Sequence, residues 1–130
     1  MRIDIFSDTI CPWCLIGKRR LSRALERRPQ ENLSVFWHAF QLNPDMPEGG
    51  MDRQTYLLRK FGGAQNAATI YGRIREVGKE EGIDFDFDAI KKTPNTVDSH
   101  RLIRLATVKG VAEAVVEGLF AAYFFEGRDI

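Results

Sequence analysis

Cys11-Pro12-Trp13-Cys14 contains both cysteines of the chain. It follows an apolar run, Ile3-Asp4-Ile5-Phe6, and a polar turn, Ser7-Asp8-Thr9. A helical stretch begins at once after it. Two cysteines spaced by two residues, between a strand and a helix, form the pattern of a redox dithiol. A helix N-terminus leaves N–H groups unpaired and carries the positive end of the helix dipole. A thiolate is favoured over a thiol there, so a depressed pKa is expected for Cys11. Pro12 falls near the first helical position, where its missing N–H costs nothing. Cys14 lies a turn further in and is less polarised. Cys11 is therefore expected to be the attacking sulfur and Cys14 the resolving one.

Two other readings of the motif fare worse. A zinc site needs four ligands, and only His38 and His100 remain, far apart in the chain. A purely structural disulfide closing so short a loop would constrain the unfolded chain little. No metal and no organic cofactor is expected. The 130 residues suffice for one domain with a core, and 44% apolar with 28% charged residues is ordinary for a globular protein. A net charge of +1 argues against nucleic acid or a membrane surface as partner. No apolar run approaches the roughly 20 residues of a membrane-spanning helix. Arg2 and Asp4 interrupt the N-terminus, which reads as a strand rather than a signal peptide. The expectation is a cytoplasmic protein whose dithiol rests mainly reduced and whose disulfide is transient.

Arg2 to Phe6 alternates as a strand does. A helix is expected from Pro12 to Arg28, with Leu21 and Leu25 one turn apart and Gly17 allowing close approach to a sheet. Its cations, Lys18 to Arg20, Arg23, Arg27 and Arg28, are expected to form a solvated face. Leu33 to Phe40 is the clearest strand, with aromatics on both faces, so both faces should be covered. Strand–helix–strand with short links gives a right-handed parallel unit, the start of a thioredoxin fold. Helices are expected at Arg53–Phe61, Ala64–Glu81, from Asn95 or Thr96 to Lys109, and Val111–Phe125. Ile83 to Phe87 reads as an extended linker with its apolar side chains pinned down. The apolar face of the last helix, with Phe120, Tyr123 and Phe124, is too wide for a lone surface helix. The domain reading is 1–45 for the half-domain carrying the cysteines and 46–130 for a helical insertion.

With these segments placed, the sequence resembles a DsbA-family thioredoxin-fold oxidoreductase of the FrnE type. The resemblance rests on Ser7-Asp8 through Cys11-Pro12-Trp13-Cys14-Leu15-Ile16-Gly17-Lys18-Arg19, on Phe40-Gln41-Leu42-Asn43-Pro44, on Asn95-Thr96-Val97-Asp98-Ser99-His100-Arg101, and on Ala122 to Ile130. It implies an α/β fold: a thioredoxin-like βαβ start followed by an all-helical insertion, with Cys11 and Cys14 as the redox pair. The wider family includes hydroxychromene-carboxylate isomerases and kappa-class glutathione transferases. Those carry a serine at the position of Cys11 and use glutathione. Cys-Pro-Trp-Cys argues for dithiol chemistry, with glutathione left open as a redox partner. Family chains also continue into a C-terminal ββα half whose cis-proline helps dock substrate. None of Pro12, Pro29, Pro44, Pro47 and Pro94 precedes a plausible later strand.

The implied function is a thiol–disulfide oxidoreductase acting on a disulfide-containing protein or a small thiol substrate. The alternatives are a glutathione-using isomerase or transferase, and an inactive partial domain that acts by association. Pro12, Trp13 and His100 are candidates for the substrate cleft. His100 could instead be a capped or packed helix histidine, and Trp13 could shield Cys14. Asp8 reads as a turn residue, the weaker alternative being a role in steering protons near Cys14. The aromatics of the second strand and the last helix should meet further elements, so the chain is expected to pair with copies of itself or to need the missing segment.

Overall fold

The computed structural model describes residues 1–130. Strand β1 (Arg2–Ser7), helix α1 (Pro12–Arg27) and strand β2 (Ser34–Ala39) form a parallel βαβ unit, with Arg2 opposite Ser34 and Ser7 opposite Ala39. The alternation read in β1 is the alternation of burial: Ile3, Ile5 and Ser7 turn inward, while Arg2, Asp4 and Phe6 face solvent. Helix α1 starts with Pro12 in its first turn and ends just before Pro29. A two-residue strand β3 (Met51–Asp52) leads into α2 (Arg53–Phe61) and α3 (Ala64–Glu80). A single 3-10 turn (Phe87–Ala89) precedes β4 (Lys92–Thr93), which pairs antiparallel with β3. Helices α4 (Val97–Val108) and α5 (Ala112–Phe124) complete the chain. No helix is long and apolar enough to cross a membrane.

The helix boundaries lie within a residue or two of the sequence reading. The β3–β4 pair was not legible, because two residues per strand carry no periodicity. Asn95, not Thr96, supplies the cap of α4: its Oδ1 accepts the Val97 amide at 3.0 Å, and Thr96 makes no side-chain cap. The role expected of Gly17 falls away, since a Cβ there would meet nothing within 4 Å. The glycine that permits close packing is Gly78 of α3, where a Cβ would sit 2.6 Å from the Phe85 ring.

One hydrophobic core runs through residues of both sequence segments. Leu15 and Ile16 of α1 meet Ile74 of α3, the extended stretch Ile83, Phe85 and Phe87, and Phe120, Tyr123 and Phe124 of α5. The wide aromatic face of α5 is therefore covered within the chain, each of those three residues being 1% exposed. That corrects the expectation of a bare patch there: the Ile83–Phe87 stretch is the element that covers it. On the sheet the cover is incomplete: Phe36 and Trp37 of β2 are half-buried. Phe6 and Phe40, at the edges of the open sheet face, remain 67% and 53% exposed. On that face Phe6 stacks on His38 with centroids 4.8 Å apart, and His38 Nε2 lies 2.7 Å from Asp4 Oδ1.

Arg53 is buried with no acidic partner. Its Nη1 donates to Thr93 Oγ1 at 3.0 Å and Tyr123 Oη at 3.3 Å, and its guanidinium lies 5.2 Å from the Tyr71 ring centroid. Hydroxyls and a ring face stand in for a carboxylate there, joining β4, α3 and α5 around one cation.

The cations of α1 form no free patch. Lys18 is buried and meets Glu113 at 2.5 Å and Glu117 at 2.8 Å, both on α5. Arg19 also pairs with Glu117, and Arg20 and Arg23 pair with Glu81. The hydrogen bond from Arg19, followed by that from Lys18, holds Glu117 down at about 2 against partial burial. A carboxylate held low when folded contributes stability above its unfolded value, and loses it as pH falls through the folded one. Stability should therefore decline as pH drops from about 4.5 towards about 2, and Glu117→Gln should flatten that slope in acid melts. Solvent screening keeps the contribution to about 1 kcal/mol or less. An unchanged slope in the variant would place the acid sensitivity elsewhere.

Candidate active site

The loop between β1 and α1 is short, so the chain turns within Asp8, Thr9 and Ile10 before the helix begins. The Cys11 amide bonds to the Asp8 carbonyl at 3.1 Å, which closes that turn. Cys11 occupies the cap position of α1 with extended backbone angles, and its carbonyl accepts the Cys14 amide at 3.1 Å. Cys14 therefore sits one turn in, where it packs against the core. Both are free thiols and half-buried. Trp13, between them, is 47% exposed, and Pro12 is buried.

The two thiols are hydrogen-bonded to each other and titrate as one pair. The bond from Cys11 brings Cys14 down to about 6, and the Asp8 amide and Ser7 hydroxyl help against burial. The same thiol–thiol bond, followed by burial, pushes Cys11 up, while the Cys14 and Trp13 amides act to lower it. The first proton of the pair leaves easily and the second is held. Both sulfurs collect donors, and the easier ionisation belongs to the pair.

Beneath the pair lies a buried polar cluster. Asp8, 1% exposed, accepts the Leu42 amide on Oδ2 at 2.8 Å. Its Oδ1 lies 3.1 Å from His100 Nε2, which lies 3.1 Å from the Phe40 carbonyl as well. Thr9 Oγ1 and Ser99 Oγ are 2.7 Å apart, and the Ser99 hydroxyl also bonds to the Thr96 carbonyl at 2.9 Å. The first turn of α4 is therefore fastened to the loop carrying the cysteines. His100, one of the cleft candidates, is a wall of this cluster, turned to Asp8 rather than to Cys11. Asp8 and His100 are 92 residues apart. Each was visible as a residue, but no local pattern announces their pairing.

A cavity of about 660 Å³ opens beside this cluster, between β2, α4 and α5. Ser7, Thr9 and His100 form its end nearest the cysteines, and Phe36, Ile103 and Phe120 are among its apolar walls. Neither cysteine lines it. No group of histidines, cysteines and carboxylates is placed to hold a metal ion.

Strand, turn, paired cysteines, helix and parallel second strand define a thioredoxin-like α/β unit with a dithiol at its helix start. The model of the DSBA-like thioredoxin domain matches residues 2–130, and the chain belongs to that family. A crystal structure of a probable DsbA oxidoreductase from Streptomyces coelicolor superposes with a TM-score of 0.86 at 30% sequence identity. The match covers 100% of this chain and 56% of that one, so the chain spans little more than half the length of that relative. A search of curated proteins returned no match.

Proposed function

We propose that the chain carries the redox centre of a cytoplasmic thiol–disulfide oxidoreductase. The Cys11 thiolate attacks one sulfur of a substrate disulfide. The substrate S–S bond breaks, its other sulfur leaves as a thiolate that takes up a proton, and a mixed disulfide remains on Cys11. Cys14 then loses its proton and attacks Cys11, and the second substrate sulfur leaves. The substrate gains two electrons, and the pair loses two as it closes into an internal disulfide. Two equivalents of a thiol of the glutathione class reopen it, the first forming a mixed disulfide and the second releasing the pair as the thiols leave joined as their own disulfide.

The observation carrying this reading is the placement of Cys11. It occupies the cap position of α1, where the Trp13 and Cys14 amides act to lower it, and its thiol bonds to that of Cys14. Once the shared proton shifts to Cys14, those amides stabilise charge on Cys11. The packing of Cys14 against the core leaves it to a partner already held on Cys11. Trp13 offers an exposed flat apolar surface to a substrate segment.

Insulin reduction driven by a small thiol tests this reading. A rate above the thiol alone supports it, and a rate equal to the thiol alone counts against it. Pro12 should tune the couple, because it shapes the dipeptide between the sulfurs. Pro12→Ala is expected to move the reduction potential by about 30 mV, equal to about 1.4 kcal/mol for two electrons. Equilibration with a glutathione redox buffer measures this, and an unchanged potential would leave the helix terminus alone in control.

A further inference from the structure

We propose that Arg53 anchors a binding site for a small apolar monocarboxylate, in the cavity between the start of α2, helix α3 and the Phe87–Lys91 stretch. Neither cysteine lines that cavity, so the site is separate from the dithiol.

The starting point is a cation without a counter-charge. Arg53 is 8% exposed and bonds to no carboxylate. Taking a cation out of water is costly unless an anion or a full set of acceptors replaces the water. Two hydroxyls serve Nη1, Thr93 Oγ1 at 3.0 Å and Tyr123 Oη at 3.3 Å. The rings of Tyr56 and Tyr71, with centroids 5.5 Å and 5.2 Å from the guanidinium carbon, meet part of the charge. Nε and Nη2 have no acceptor within hydrogen-bond distance in the chain. They are not sealed in either, since Gln41 Nε2 is the one fully buried side-chain N or O atom without a partner. The Nε–Nη2 edge therefore reaches open space, and Arg53 lines a cavity of about 410 Å³. That edge presents two parallel N–H groups, the fork that matches the two oxygens of a carboxylate.

The walls define what the carboxylate is attached to. Ala67, Phe87 and Ile90 are buried around the cavity, and Leu57 adds another apolar side chain. A strongly hydrated inorganic anion would lose water against these groups without replacement. The charge balance agrees. Three cations, Arg53, Arg75 and Lys91, line the cavity against two carboxylates, Asp52 and Asp88. Asp52 already accepts the Thr55 amide at 3.0 Å, and Asp88, its side chain 97% exposed, lies 3.9 Å from Arg75. One positive charge is left over, which a monoanion matches and a dianion exceeds. The volume falls within the roughly 300–1,000 Å³ of small-molecule sites. Benzoate, one ring bearing one carboxylate, is the simplest probe of this chemistry.

Isothermal titration of the reduced chain with benzoate tests the site, with benzamide and inorganic phosphate titrated alongside. One benzoate should bind per chain. Benzamide, the same ring without the charge, should bind about tenfold more weakly or worse, the order of one hydrogen bond to a charged group. Phosphate should be weaker than benzoate by a similar factor, since the apolar walls offer it nothing. Arg53→Lys keeps the charge but loses the fork, and should weaken benzoate about tenfold. Ala68→Leu, at an exposed α3 position on the cavity wall, takes up ligand space and should weaken benzoate as well. If Arg53→Lys does not fold, benzamide and Ala68→Leu still decide, because neither alters the buried cation. No saturable binding of benzoate, benzamide or phosphate binding as tightly as benzoate, or unchanged affinity in either variant would overturn the proposal. Insulin reduction probes the dithiol alone, so either reading can fail without the other.

Discussion

Cys11→Ser is expected to bring disulfide exchange down to the uncatalysed background, with the fold intact. The hydroxyl is close in size to the thiol, and Cys11 is only half-buried, so little packing is lost. A serine suits this cap position and would remain near the Trp13 and Cys14 amides. It cannot form the mixed disulfide, and Cys14 packs against the core beneath it. The serine hydroxyl can still donate to the Cys14 sulfur, so Cys14 should keep most of its lowering. Two measurements check this: exchange with hydroxyethyl disulfide, and the pH dependence of Cys14 alkylation. Retention of exchange near the parent rate would mean that Cys14 attacks without help.

Phe124→Ala should produce the largest loss of stability of any single truncation considered. Phe124 is 1% exposed and stands at the centre of the aromatic cluster. Its ring meets Tyr123 at 4.9 Å, Phe85 at 5.2 Å, Phe120 at 6.1 Å and Phe87 at 6.2 Å between centroids. The Asp86 amide also bonds to its carbonyl at 2.8 Å, so the cavity would open where the extended stretch is tied to α5. Truncating a buried Phe costs about 3–5 kcal/mol, against a total of about 5–15 kcal/mol for a domain. Urea denaturation should show that loss, while Leu58→Ala, at a site 61% exposed, should stay within about 0.5 kcal/mol of the parent. A loss below about 1 kcal/mol at Phe124 would mean that the cluster collapses around the gap.

The βαβ unit was legible because each element carries its own signal. Strand β1 alternates, Pro12 marks the start of α1, and Pro29 marks its end. The helical segments were legible through apolar spacing and glycine stops, and Ile83–Phe87 through alternation without a partner. What could not be read depends on groups distant in the chain. The burial of Lys18 needs Glu113 and Glu117, almost a hundred residues later. The covering of the α5 aromatics needs a stretch that does not look like an element. The Asp8–His100 pair needs α4 to arrive beneath the cysteine loop. Even at the site, the helix dipole alone pointed to Cys11, whereas the donors around Cys14 come from the turn before the helix.

The central claim is that Cys11 makes the bond to substrate and Cys14 breaks it. The most direct measurement is to mix Cys14→Ser and Cys11→Ser, side by side, with a disulfide-containing peptide and locate the adduct by mass spectrometry after proteolysis. The predicted result is a long-lived adduct on Cys11 in the first variant and little or none on Cys14 in the second. A stable adduct on Cys14, formed at a comparable rate, would contradict the assignment.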